Sequence, residues 1–126
     1  MTRKVAVAVL LLAFTGLSLA SDKVTLTGWI SDKSCATNRA KHGTFTPTNP
    51  DCAMECISKG EKMVMIAEKE KAVYAIDNPD IAKDHFAEHL EINGMLDSRT
   101  GQLHITSIRD IGDYQGPACA RKRLKK

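Results

Sequence analysis

Ala72-Val73-Tyr74-Ala75-Ile76-Asp77-Asn78-Pro79-Asp80-Ile81-Ala82-Lys83-Asp84-His85-Phe86 changes its period part-way along. The first six residues are strand formers in a short run. Asn78 then offers an N-cap, Pro79 occupies the first helical position and Asp80 adds an acid to the first turn, after which Ile81, Ala82, His85 and Phe86 share a face. The spacing predicts a helix of about two turns over residues 79–86. A strand that runs directly into a helix limits what can surround it.

Upstream, Lys62 to Glu68 reads as a strand separated from the one above by Lys69-Glu70-Lys71, a loop of hairpin length, so the two should pair antiparallel. Val24-Thr25-Leu26-Thr27-Gly28-Trp29-Ile30 alternates, with a glycine where a bulge or sharp coil belongs. Downstream, His89 to Asp97 and Gln102 to Thr106 form a second hairpin around Ser98-Arg99-Thr100-Gly101. Between the first and second strands, Asn49-Pro50-Asp51 repeats the helix-start grammar and Gly60 supplies the stop, predicting a helix over residues 50–59 that carries Cys52 and Cys56. Cys35 to Asn49 reads as a loop.

The fold class is therefore mainly β with two short helices, in the order strand, insertion helix, strand, strand, helix, strand, strand. A helix between the third and fourth strands is the connectivity of an OB-like five-stranded barrel plugged at one end. An open α+β meander is the competing arrangement.

Thr2-Arg3-Lys4, the apolar run Val5 to Leu19 and the small residues Ser18 and Ala20 have the form of a secretory signal peptide over residues 1–20. The apolar run is too short to cross a bilayer comfortably, and no other stretch approaches the ~20 residues required. The expected location is periplasmic or secreted. The rest of the chain fits one domain over residues 21–110, with a cysteine-bearing insertion at 33–60 and a basic tail at 111–126. Between Ser21 and Ala120 there are 11 Lys and Arg against 15 Asp and Glu, a balance of −4, so the body is mildly acidic and the tail alone is positive. A solvated tail is the default, and contact with anionic surfaces is the alternative.

The stretch Gly28-Trp29-Ile30-Ser31-Asp32-Lys33-Ser34-Cys35, the run Asp51-Cys52-Ala53-Met54-Glu55-Cys56 ahead of Gly60, and Val73 to Asn78 with the Gly94-containing fourth strand together resemble a bacterial family of small exported proteins known as a domain of unknown function. The resemblance spans roughly Val24 to Ile108. It implies that Cys35, Cys52 and Cys56 belong to the family pattern while Cys119 and the tail are peculiar to this chain. It implies no activity.

Four cysteines in a small exported domain point to disulfides. Cys52 and Cys56 are four apart on one helix, where Cβ atoms stand ~5–6 Å apart, beyond the ~3.5–4.5 Å of a relaxed bridge. Cys35 should pair with one of them, Cys56 ahead of Cys52, and Cys119 with the other. The alternative reading is a zinc or copper site formed by Cys35, His42, Cys52 and Cys56, or thiol exchange. The spacings match no standard zinc pattern, and neither C-x-x-C nor a thioredoxin-type βαβ pattern is present.

Enzyme motifs are lacking: there is no G-x-S-x-G, no glycine-rich phosphate loop and no H-E-x-x-H. Asp77, Asp80 and Asp84 lack the glycine and distal glutamate of a calcium loop and read as helix-start residues. His85, His89 and His104 read as polar contacts or solvated side chains. Nucleic acid is not an expected partner, because Trp29, Phe45, Tyr74, Phe86 and Tyr114 are too few and the body too acidic for a stacking groove. Trp29 is the candidate contact residue if its face of the strand is exposed, and a core residue if Gly28 turns it inward. The expected role is a non-catalytic binding or envelope-accessory domain for a small ligand or another envelope protein, without a cofactor; the rival is metal or thiol handling.

Overall fold

A computed structural model describes residues 21–86 and 88–112. The expected leader, Cys119 and all but the first two residues of the basic tail lie outside the described residues. Among the described residues, five strands and two helices run in the order β1 (Ser21–Asp32), α1 (Lys33–Lys41), α2 (Pro50–Ser58), β2 (Met63–Ala67), β3 (Ala72–Ile76), β4 (His89–Asp97) and β5 (Gln102–Gly112), with a 3-10 turn at Pro79–Ile81 between β3 and β4. Among the described residues no helix is long and apolar enough to cross a membrane.

The strands make one mixed sheet in the spatial order β1-β2-β3-β5-β4, and β4 returns to β1, so the sheet closes on itself. The β3–β5 pair is parallel, joining Ala75 to Gln102 and Ile76 to Leu103, and the other pairs are antiparallel. Both expected hairpins are present. Closure depends on β1, whose residues 21–28 pair with β4 while residues 28–32 pair with β2. Gly28 is the shared point, and a Cβ there would stand 1.7 Å from the carbonyl oxygen of Ile66. Only a residue without a side chain lets the two strands meet this closely.

Leu26, Ile30, Met63, Met65, Leu90, Ile92, Leu103 and Ile105 fill the interior, drawn from alternating positions of β1, β2, β4 and β5. The methionines of β2 are thus core residues, as their alternation indicates. The intervening residues Val64 and Ile66 are also buried, in a second cluster with Trp29 and Ala36 against which Phe45 and Val73 pack. That cluster lies on the outer face of the sheet under α1 and the loop after it, which explains why β2 is buried along its whole length.

Two expectations need correction. The segment 35–49 is not a loop throughout: Asp32 caps α1, its Oδ2 accepting from the Cys35 N–H at 3.0 Å. The helix ends in a Schellman arrangement, with Thr44 N–H donating to the Arg39 carbonyl and Gly43 N–H to that of Ala40. α2 ends the same way at Gly60 and Glu61. With one buried residue, Ala36, α1 shows little apolar periodicity, so its capping residues carry the signal.

The expected helix over 79–86 shrinks to the 3-10 turn. Asn78 makes no capping bond; its Nδ2 donates to the Ile105 carbonyl at 2.7 Å and its Oδ1 accepts from the Ile105 N–H at 2.9 Å, so the residue prolongs the parallel contact with β5. Ile81 is left 39% exposed, while Ala82 and Phe86 still join the interior.

Candidate functional site

β1 ends and α1 begins at Asp32, which is fully buried. Lys33 N–H donates to the Lys62 carbonyl at 2.8 Å, tying this junction to the approach to β2. α2 lies against β1 through buried Pro50 and Ala53. Arg39 holds the connecting segment by donating to the Pro47 carbonyl and the Thr46 hydroxyl. The Ser31 and Thr48 hydroxyls meet beneath it.

This framework places Cys35, in the first turn of α1, against Cys56, near the end of α2. Their sulfurs and a carboxylate oxygen of Asp32 all lie within 4.8 Å of one another. Cys35, Cys52 and Cys56 are free thiols in the structure. Burial pushes the Cys35 thiol up to about 12, reinforced by the hydrogen bond and negative charge of Asp32 and then by Cys56. Cys56 is raised as well, first by desolvation and then by the Asp32 charge. Both effects favour the protonated sulfur, the opposite of what an attacking thiolate needs. The remaining Asp32 oxygen, Oδ1, is buried without a hydrogen-bond partner.

The metal set expected from sequence is therefore regrouped. Cys35 and Cys56 come together, Asp32 joins them, and Cys52 and His42 are outside the group and exposed. His42 is instead the C-cap of α1. Asp32 was missed; its place three residues before Cys35 is the signal that could have marked it as a helix cap, and nothing in the sequence placed its carboxylate beside a sulfur from another helix.

The other histidines take carboxylate partners. His85 pairs with Glu88, His89 with Glu68 at 3.1 Å, and His104 with Asp77 at 2.8 Å. His89 also stacks on Trp29, the ring centroids 4.8 Å apart and the planes 13° from parallel. Trp29 is only 6% exposed, so it is not an accessible contact residue. It faces away from the interior yet is covered by α1, a third outcome that neither strand alternation nor a glycine bulge anticipates.

A groove of about 440 Å³ lies on the outer face of β2 and β3, between α1 and the β4–β5 turn. Its floor is apolar, formed by Phe45, Val64 and Val73, and Lys33 and Lys71 stand beside it with the hydroxyl-bearing Thr100. The lining contains no His, Cys, Asp or Glu. No protein-family model, curated protein or solved structure matches this chain.

Proposed function

We propose that this chain is an exported, non-catalytic binding domain: an OB-like barrel that takes a small amphiphilic anion in the groove over β2 and β3, with its insertion pinned by a Cys35–Cys56 disulfide. The observation that carries the reading is the groove's composition, an apolar floor with two lysines and no acidic residue in its lining. Such a surface suits a ligand with an apolar body and a negative end. The ring of strands with its parallel third-to-fifth pairing supports the OB-like comparison, and in that architecture the second and third strands, flanked by the first and fourth connections, form the usual binding face. Export rests on the leader pattern of residues 1–20. The reading is non-catalytic because the groove pairs no nucleophile with a general base.

Trp29 shares its cluster with Phe45, Val64 and Val73 and is the one tryptophan in the chain, so its fluorescence reports on the groove floor. Titration with aromatic carboxylates and medium-chain fatty acids should give saturable changes that a Lys33→Glu, Lys71→Glu double variant abolishes. The absence of saturable binding across both classes, or binding unaffected by the double variant, would refute the groove as the site.

A further inference from the structure

Asp32 is buried, uses Oδ2 to cap α1 and leaves Oδ1 without a partner, although a buried carboxylate oxygen with no donor is costly. Next to it stand two sulfurs from different helices, close enough for all three ligand atoms to fall within 4.8 Å of one another. Each ligand comes from a separate element: the end of β1, the start of α1 and the end of α2. We propose that in the dithiol state Asp32, Cys35 and Cys56 form a zinc site at the seam between the sheet and its insertion.

The ligand set selects the metal. Tetrahedral zinc with Zn–S near ~2.3 Å and Zn–O near ~2.0 Å holds its ligand atoms under about 4 Å apart, so the group needs to contract by no more than about 1 Å. Thiolates disfavour calcium and magnesium, and the carboxylate oxygen is a hard ligand that copper(I) does not seek. Cys35 and Cys56 are both partly exposed, which gives the ion a path in and leaves the fourth position to water or a further donor. The site is independent of the groove. It draws on the same two sulfurs as the Cys35–Cys56 bond, so bridge and metal exclude each other. Oxidised glutathione converts the metal-free dithiol to the bridge: the two thiols give up two electrons and two protons to form the S–S bond, and the reagent leaves as two molecules of reduced glutathione.

The test is anaerobic titration of the full-length, reduced, metal-free protein with zinc against a chromophoric chelator, and with cobalt(II) to detect thiolate charge-transfer absorption. One equivalent should bind. Asp32→Asn, which preserves the helix cap, should weaken zinc at least tenfold while circular dichroism stays unchanged, and Cys56→Ser should remove most of the cobalt–thiolate absorption. His42→Ala and Cys52→Ser should leave both unchanged, and prior oxidation with oxidised glutathione should abolish uptake. The proposal is overturned by no uptake, by a zinc affinity unchanged in Asp32→Asn, by cobalt–thiolate absorption unchanged in Cys56→Ser, by uptake that survives oxidation, or by affinity lost in Cys52→Ser or His42→Ala.

Discussion

Asn78 pairs with Ile105 through both ends of its side-chain amide, so one residue outside the strands supplies the next step of the parallel β3–β5 contact. This pairing and the Asp77 N–H bond to the Leu103 carbonyl continue the contact beyond Ile76. Parallel neighbours with a short interface need such reinforcement, because β3 and β5 share only two register pairs.

Replacing Asn78 with Ala should destabilise the fold by about 1–3 kcal/mol, since it removes two hydrogen bonds and strands the main-chain groups of Ile105. Asn78→Asp keeps the acceptor for the Ile105 N–H but sets a carboxylate oxygen against the Ile105 carbonyl, so at neutral pH it should not recover the loss. Urea midpoints compared at constant m-value would show both losses.

Gly28→Ala should be far more damaging than Gly43→Ala. The first places a Cβ 1.7 Å from the Ile66 carbonyl oxygen, where β1 leaves one partner for the next, and should prevent cooperative folding or cost more than about 3 kcal/mol. The second meets no atom within 4 Å and carries only the strain of its φ of 72°, about 1–2 kcal/mol. Thermal unfolding of the two variants measures the gap.

Met65 and Met54 make a contrasting pair on burial alone. Met65 has no exposed surface and sits in the interior cluster, so Met65→Ala should cost about 2–5 kcal/mol. Met54 is 37% exposed on α2, and Met54→Ala should stay within about 0.5 kcal/mol. Chemical denaturation of both variants would check this.

The raised Cys35 thiol gives the dithiol protein an alkaline weakness. Because the folded group holds its proton up to about 12 while the unfolded thiol releases it near 9.0, the native state binds more protons between those values. Stability from this group is therefore complete below pH 9 and declines as pH rises toward 12. At pH 8, alkylation of Cys35 should be between about tenfold and a thousandfold slower in the folded protein than in urea. Peptide mass spectrometry of the labelled sites reads this directly.

The strands were legible because their signals are local: alternation in β1, the turn at Ser98 to Gly101, and the short charged link between β2 and β3. α2 was legible for the same reason, with Asn49 and Pro50 at its start and Gly60 at its end. α1 was missed because it buries so little of itself that periodicity is nearly silent; Asp32 and Gly43 marked its ends without an apolar stripe between them. The opposite error arose at Asn78-Pro79-Asp80, where good start signals preceded no full helix because Asn78 is committed to Ile105, a residue 27 positions away. Long-range commitments of this kind leave no mark in a local pattern. The candidate site shows the same division: its cysteines stood out by type and Cys56 was the favoured partner of Cys35, whereas the place of Asp32 beside both sulfurs comes from how α2 packs on β1.

The most direct measurement is disulfide mapping on protein isolated from its native cells under non-reducing, thiol-blocked conditions, with proteolysis and mass spectrometry of the linked peptides. A linked pair of peptides carrying Cys35 and Cys56 is the expected result, since these sulfurs face each other across the seam between α1 and α2. A bond from Cys35 to Cys52, or one within the Cys52–Cys56 helix, would contradict the account: the first requires α2 to sit on the sheet in a different orientation, and the second requires α2 to be distorted between two residues one turn apart.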